Sequence, residues 1–342
     1  MSRTASGSTY AAGLLRRSAA PFALGFVMLF AQSGGHAQAA DPLTFFKNYF
    51  ITGDYVVGGV GLRGSGGVGY VNSAGAVVPG IPGIAAREIT ISGVPSDADI
   101  VAAFLYWQVV SKNSLGPDSG ATGVKFRGNP LTSTAGPIAK VLNPNGTAPC
   151  WSSGGATGSS GGQHRTYTYR TDVLGFFDVD ENPSSPRYGK FIVNGPHEVQ
   201  LPDSGPAGSA VPIALGASLV LVYRDPTMPL NAIVLYDGGY TMDQSTQLMS
   251  QTIKGFYQAK NTTARITHIV GSGQLNKSEV LRLPGKLPIT EQNFLVNPFT
   301  GFAGASWDNP TYDLHNVTVT SSADYGDSVT TSVDHEGFSA FD

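Results

Sequence analysis

Oxygen-bearing side chains are concentrated in one short segment of this 342-residue sequence, DVDENPSSP. Asp178, Asp180 and Asn182 stand at alternate positions, and carboxylate and amide oxygens are the ligands that calcium prefers. An EF-hand loop would place glycine at its sixth position and glutamate at its twelfth, where this sequence has Pro183 and Gly189. The segment is therefore predicted either to bind calcium in a loop unlike an EF-hand or to form a solvated acidic turn.

Two further patterns match the spacing of known functional motifs but lack the context that those functions require. Gly158-x-Ser160-x-Gly162 matches a nucleophile elbow, yet it lies in a Gly/Ser-rich stretch and not between a strand and a helix. Overlapping G-x-G-x-x-G patterns begin at Gly59 and Gly64, and the prolines that follow exclude the helix that would receive a pyrophosphate. We therefore predict no catalytic residues and no nucleotide cofactor.

The three tryptophans are candidates for contact with a sugar, because an exposed indole ring offers a flat apolar face. Trp107 lies in an apolar run and is expected in the core. Trp151 and Trp307 lie in polar segments, so we expect both rings to be more exposed than that of Trp107. These two residues are the predicted ligand-binding positions if the protein binds carbohydrate.

The first 39 residues have the order of an export signal. Arg16 and Arg17 precede the apolar stretch 19–31, and the Ala-Gln-Ala of residues 37–39 supplies the small-x-small pattern of a signal peptidase site. The apolar stretch has about 13 residues, whereas a membrane-spanning helix needs about 20. We predict a signal peptide over 1–39 and a secreted or cell-surface location, with no membrane span after its removal.

The composition favours strands joined by turns. Charged residues make up 13% of the chain, against about 25% in typical soluble domains. Glycine (44) and proline (22) are abundant, while strand-favouring valine, threonine and aromatic residues outweigh lysine and glutamate. The net charge of -3 offers no basic surface for nucleic acid. We therefore expect an all-β protein that does not bind nucleic acid.

Alternation of residue types predicts several of the strands. ADIVAAFLYWQVV (98–110) has cap-like residues before it, but its β-branched and aromatic residues favour a buried strand over a helix. Within 164–173, Tyr167 and Tyr169 share one face. The apolar runs 217–223 and 232–236 flank the segment DPTMP, and we predict that they pair antiparallel as a hairpin buried on both faces.

A weak internal repeat suggests two modules of this kind. TISG (90–93) is echoed by TIKG (252–255), and TYRTDV (168–173) by PTYDLHNV (310–317), in the same order. A duplication predicts β-sandwich modules over residues 40–245 and 246–342. The second lacks a counterpart of the apolar hairpin, so it is either truncated or a shorter module with its own topology. Cys150, the only cysteine, is then either a free thiol or the partner of a lost residue.

Three segments also resemble a family of bacterial and archaeal secreted surface proteins of unknown function. They are AFLYW (103–107), YRTDV (169–173) and the GASLVLVY…IVLYDG stretch (216–238). The resemblance covers about residues 45–320, and its motifs are structural, so it carries no catalytic residue to this chain. It implies jelly-roll-like antiparallel β-sandwiches on exported, adhesin-like proteins.

These observations leave three functions open. The first is a non-catalytic, secreted or cell-surface structural or adhesin-like protein, with an extracellular glycan or a matrix or surface protein as its partner. The second is a carbohydrate-binding β-sandwich module that uses the loop tryptophans. The third is a secreted glycan hydrolase with a carboxylate pair, although nothing in the sequence selects such a pair. We expect the first, with no enzyme activity and no cofactor unless calcium binds.

Overall fold

Antiparallel strands make up most of the regular structure, which confirms the all-β fold class and is consistent with a β-sandwich. The computed structural model describes residues 38–133, 136–147, 164–206, 210–242, 247–258, 263–275, 278–304, 306–322 and 326–335. Within those ranges the only helical elements are three short 3-10 turns, at Asn113–Leu115, Pro117–Gly120 and Leu174–Phe176.

Fifteen strands precede residue 240 and nine follow it in the described part of the chain. The first fifteen are β1 (Gln38–Ala40), β2 (Thr44–Gly61), β3 (Tyr70–Val71), β4 (Val77–Val78), β5 (Ile84–Ile91), β6 (Asp99–Lys112), β7 (Lys125–Phe126), β8 (Asn129–Pro130), β9 (Thr132–Ser133), β10 (Gly136–Pro137), β11 (Lys140–Val141), β12 (His164–Asp172), β13 (Gly195–Pro202), β14 (Ile213–Arg224) and β15 (Leu230–Asp237). The others are β16 (Leu248–Phe256), β17 (Ala264–Thr267), β18 (Val270–Gly271), β19 (Glu279–Arg282), β20 (Phe294–Val296), β21 (Trp307–Asp308), β22 (Thr311–Leu314), β23 (Thr320–Ser322) and β24 (Gly326–His335).

Six of these strands form the main sheet, in the order β11-β12-β6-β14-β2-β15, with antiparallel pairing throughout. β6 confirms that the segment 98–110 is a strand and not a helix. It lies between β12 and β14, and ten consecutive residues of it, 102–111, contain only one that is not buried. Its β-branched and aromatic side chains suit such a position, because both faces of a central strand are covered.

The predicted hairpin between the runs 217–223 and 232–236 is wrong. Both runs pair antiparallel with β2, β14 along residues 53–61 and β15 along 44–52, so the two runs point in the same direction. The segment between them is a loop, in which the Met228 N–H donates to the Asp225 carbonyl at 3.0 Å. β2 is long enough to pair with both runs. The proline-rich break between the runs therefore separates two stretches of pairing with β2 and does not reverse the direction of the chain.

A four-stranded sheet, β5-β13-β7-β8, covers one face of the main sheet. We call this the sandwich face; Leu105, Trp107, Leu219 and Leu221 of the main sheet lie on it and are fully buried. Tyr167 and Tyr169 pack into the same cluster, so their predicted common face is confirmed. The stacked rings of Trp107 and Tyr169 lie 5.2 Å apart at their centroids.

The opposite face of the main sheet, here the cavity face, carries the alternate residues of the same strands. Phe104, Tyr106, Val220, Val222 and Ile233 form its buried cluster. The period-2 alternation of strands explains why neighbouring residues of β6 and β14 enter different clusters.

A second six-stranded sheet has the order β1-β16-β24-β19-β20, with β23 also pairing to β24. Its pairings are antiparallel except that of β1 with β16, which is parallel. A third cluster, formed by Leu281, Leu283, Phe299, Leu314 and Val317, packs against this sheet and the short β17-β22 pair.

The described residues of the two large sheets belong to one compact unit. All strands of the main sheet fall within residues 44–237, and all strands of the second sheet except β1 fall within 248–335. The predicted division into modules 40–245 and 246–342 stays a prediction.

Two glycines of the G-x-G-x-x-G region allow close approach of backbones. A Cβ at Gly58 would lie 2.6 Å from the Thr90 carbonyl oxygen, and one at Gly66 would lie 2.7 Å from the Asp203 Oδ1. Both distances are well inside van der Waals contact. The glycines here are therefore needed for packing of β2 and the loop after it.

Candidate functional site

A cavity of about 1330 Å³ lies between the cavity face of the main sheet and the second sheet. The short β17-β22 pair contributes to its walls through Ile266, Thr267 and Leu314. Ligand sites in proteins are concave, mostly apolar and contain a few polar groups. This cavity is therefore the candidate binding site of the molecule.

The polar groups of the main-sheet wall are bonded to one another. The Gln108 amide nitrogen donates to Thr168 Oγ1 at 3.1 Å, and the Tyr106 hydroxyl donates to Asp237 Oδ2 at 3.3 Å. Burial raises the pKa of the Tyr106 hydroxyl above its ordinary value, and the charge of Asp237 acts in the same direction. Tyr106 is therefore a neutral hydrogen-bond donor at physiological pH.

A buried ion pair lies beside this wall. Arg170 bonds to Asp237, and both side chains are less than 10% exposed. The Arg170 guanidinium also stacks over the Phe46 ring, with its central carbon 3.2 Å from the ring centroid. Because each charge has a partner of opposite sign, the pair adds no unsatisfied charge to the cavity.

His268 lies on the opposite side of the cavity, between β17 and β18. Thr331 Oγ1 donates to the Arg282 carbonyl at 2.9 Å, so it accepts the hydrogen of His268 Nε2 at 3.2 Å. Burial lowers the pKa of the imidazole to about 4. The side chain is therefore neutral at pH 7, with the proton on Nε2.

Two carboxylates, the half-buried Asp54 and the exposed Asp313, hold an arginine that lines the cavity. Arg265 donates to Asp54 at 2.6 Å and to Asp313 at 2.8 Å. The neighbouring Tyr55 hydroxyl lies 3.0 Å from Thr267 Oγ1, and burial raises its pKa to about 12. These contacts join β2 of the main sheet to β17 and β22.

The predicted calcium ligands lie together in a turn, but each side chain already has a protein partner. Asp178 forms an ion pair with Arg127. The carboxylate of Asp180 accepts hydrogen bonds from the Ser185 hydroxyl, at 2.6 Å, and from the Asn182 N–H. These two bonds lower the pKa of the Asp180 carboxyl group. Asn182 Oδ1 accepts the Ser184 N–H at 3.0 Å. The bonds of Asp180 and Asn182 to backbone N–H groups two residues on are those of a tight turn.

No group of three or more His, Cys, Asp or Glu side chains is arranged to hold a metal ion in the part of the chain that the structure describes. Calcium binding by this turn stays a prediction. His197, a lone histidine of the sequence, belongs to the same neighbourhood: its Nδ1 lies 3.0 Å from Arg127 and its Nε2 lies 2.7 Å from the Val193 carbonyl. Burial lowers the pKa of this imidazole below its ordinary value.

The exposure expected of Trp307 is wrong. Its side chain is 1% exposed, against 0% for Trp107, whose core position is confirmed. Although the surrounding sequence is polar, β21 brings the ring against Gly216 and Ser218 of β14. A ring held in this way has no open face for a sugar. Trp151, Cys150 and the Ser160 pattern lie outside the described residues.

Sequence reasoning also missed two buried carboxylates that hold loops. Asp203 accepts the backbone N–H groups of Gly66, Gly205 and Ala214 at 2.9–3.0 Å. Asp308 accepts those of Gly301 and Phe302, both at 2.9 Å. The only signal in the sequence is an isolated aspartate near glycines, which is too common to single out either residue.

Comparisons with protein-family models, with curated proteins and with solved structures found no match. The described part of the chain contains no helix that is both long and apolar enough to span a membrane. The resemblance to secreted surface proteins therefore rests on the quoted segments alone.

Proposed function

We propose that this protein is an exported, non-catalytic surface protein of the adhesin-like kind, which recognises an extracellular glycan or a matrix or surface protein. One observation carries the proposal: the buried charged side chains described above bond to the backbone or to each other. Asp203 and Asp308 fix loops, and Arg170 pairs with Asp237. A scaffold that fixes its loops from inside presents a preformed surface, which lowers the entropy cost of binding.

The N-terminal signal supports export. Cleavage after Ala39 would leave Ala40 and Asp41 at the new N-terminus, where Asp41 remains bonded to β16 through Ser250 and Thr252. β16 would also keep its antiparallel partner β24. The mature N-terminus would thus stay attached to the second sheet after the signal is removed.

The proposal is tested by expressing the full chain in a bacterium with a general secretion pathway and by recording where it accumulates and how it is processed. We expect a mature N-terminus at Ala40 outside the cytoplasm, measured by intact-mass spectrometry. The purified product should bind saturably on an array of glycans and matrix proteins, without converting any of them. A cytoplasmic chain with an intact Met1, or turnover of an array ligand, would overturn the proposal.

A further inference from the structure

The cavity between the two large sheets is large for a ligand site. A volume of about 1330 Å³ exceeds the range of about 300–1,000 Å³ that is usual for small-molecule sites.

Apolar side chains face this space from both walls. Val57, Val220 and Ile233 line it from the main sheet, and Ile253 and Val329 line it from the second sheet. Ile253 and Val329 are direct partners in the β16-β24 ladder, yet each is only half-buried. Val329 also packs against the Leu281 cluster, and the part of its apolar surface that stays accessible, like that of Ile253, faces the cavity.

His268 Nδ1 is a buried acceptor of the wall without a partner, but three other polar groups of the walls favour an apolar ligand over a sugar. Gln108 bonds to Thr168, Tyr106 to Asp237, and Arg265 to two carboxylates. A sugar needs a partner for each hydroxyl that it buries, and taking one of these groups would break a bond within the protein. An alkyl chain requires no partner, and displacing water from apolar walls is favourable.

We propose that this cavity binds the alkyl or acyl chain of a single-chain amphiphile, such as a fatty alcohol or a fatty acid. The chain lies between Val57 and Val220 of the main sheet and the Ile253–Val329 pair of the second sheet. This site is independent of the surface recognition proposed above, so either proposal can fail without the other.

The test is a fluorescence titration of the purified full-length protein with the neutral apolar probe N-phenyl-1-naphthylamine, followed by competition. We expect saturable probe binding that dodecanol and dodecanoate both displace and that maltoheptaose does not. Lysophosphatidylcholine below its micelle concentration is a further competitor: displacement by it identifies a single-chain membrane lipid as a source of the chain. Failure of lysophosphatidylcholine, with displacement by the free chains, identifies a free amphiphile.

Matched variants locate the probe. Val329→Phe places a ring in the cavity, whereas Thr330→Phe places the same ring on the outer face of β24, where Thr330 is exposed. We expect Val329→Phe to weaken probe binding at least tenfold and Thr330→Phe to change it less than twofold. Val57→Phe fills the cavity from the other wall and should act like Val329→Phe, which provides a second variant if the first does not fold.

Three results would overturn the proposal. The first is the absence of saturable probe binding to the wild-type protein. The second is unchanged affinity in every folded cavity-filling variant. The third is displacement by maltoheptaose but not by dodecanol or dodecanoate, which would assign the cavity to a sugar. Circular dichroism of each variant identifies those that fold.

Discussion

The indole nitrogen of Trp307 donates a hydrogen bond of 3.0 Å to the hydroxyl oxygen of Ser218, and this bond joins β21 to the centre of the main sheet. Two residues earlier in β14, Gly216 leaves the space that the indole occupies: a Cβ there would lie 2.6 Å from Trp307 Cγ. Val110, Ile213 and Leu215 complete the cluster around the ring. The contact thus fastens the segment after residue 300 to a strand of the first half of the chain.

Gly216→Ala is expected to lower the free energy of unfolding by about 1–3 kcal/mol, because the added methyl group overlaps the Trp307 ring in a packed cluster. Urea denaturation followed by circular dichroism measures the loss. Gly175→Ala is the matched control, since no atom lies within 4 Å of a Cβ built there. Equal stability of the two variants would contradict the packing described for Trp307.

Asp203→Ala is expected to lower the free energy of unfolding by at least about 3 kcal/mol. The carboxylate is 1% exposed and satisfies three backbone N–H groups, and each buried donor left without an acceptor costs about 1–3 kcal/mol. Asp97→Ala is the control, because Asp97 is exposed. Chemical denaturation of both variants provides the comparison, and a loss below about 1 kcal/mol for Asp203→Ala would argue against its role in holding the loop.

Asp237→Asn is expected to destabilise the protein by about 3–5 kcal/mol, because it leaves the Arg170 guanidinium buried without its counter-charge. The double variant Arg170→Met/Asp237→Leu should recover most of that loss, since removal of both charges leaves none uncompensated. Asp99→Asn, which affects the more exposed ion pairs with Lys190 and Arg224, should cost no more than about 1 kcal/mol. A double variant less stable than Asp237→Asn would contradict the prediction.

The free energy of unfolding should decrease as the pH falls from about 6.5 to about 4, because His268 then gains a proton in the unfolded state. Histidine in an unfolded chain titrates near pH 6.5, whereas burial lowers the pKa of His268 to about 4 in the folded protein. Between these values the unfolded state binds more protons, so the contribution of the neutral imidazole is complete above pH 6.5 and is lost as the pH falls to about 4. The change amounts to about 3 kcal/mol.

His268→Gln isolates this contribution, because glutamine does not titrate and can still donate to Thr331. Burial also lowers the pKa of His197, so both proteins should retain some dependence on pH. The free energy of unfolding, measured at intervals from pH 7 to pH 4, should fall more steeply for the wild type than for His268→Gln. Parallel curves would show that His268 does not titrate as described.

Composition and local alternation were sufficient to predict the all-β class, the strand at 98–110 and the common face of Tyr167 and Tyr169. These features depend on residues that are neighbours along the chain. In a strand, side chains alternate between two faces with a period of two, and β-branched and aromatic residues favour that backbone. The core position of Trp107 could be predicted for the same reason, because its whole segment is apolar.

Partners distant in the sequence were decided only by the tertiary structure. The runs 217–223 and 232–236 look like a hairpin because a proline-rich break separates them. Their common partner β2 lies about 170 residues earlier, and no local sequence pattern can identify a partner at that distance. Trp307 is buried despite its polar neighbours because Gly216 and Ser218, about 90 residues away, form its site. The cavity likewise exists only where two sheets face each other, since its walls come from strands whose sequences each resemble an ordinary core. Local residue preferences determine which segments become strands, whereas packing between distant segments determines what those strands enclose.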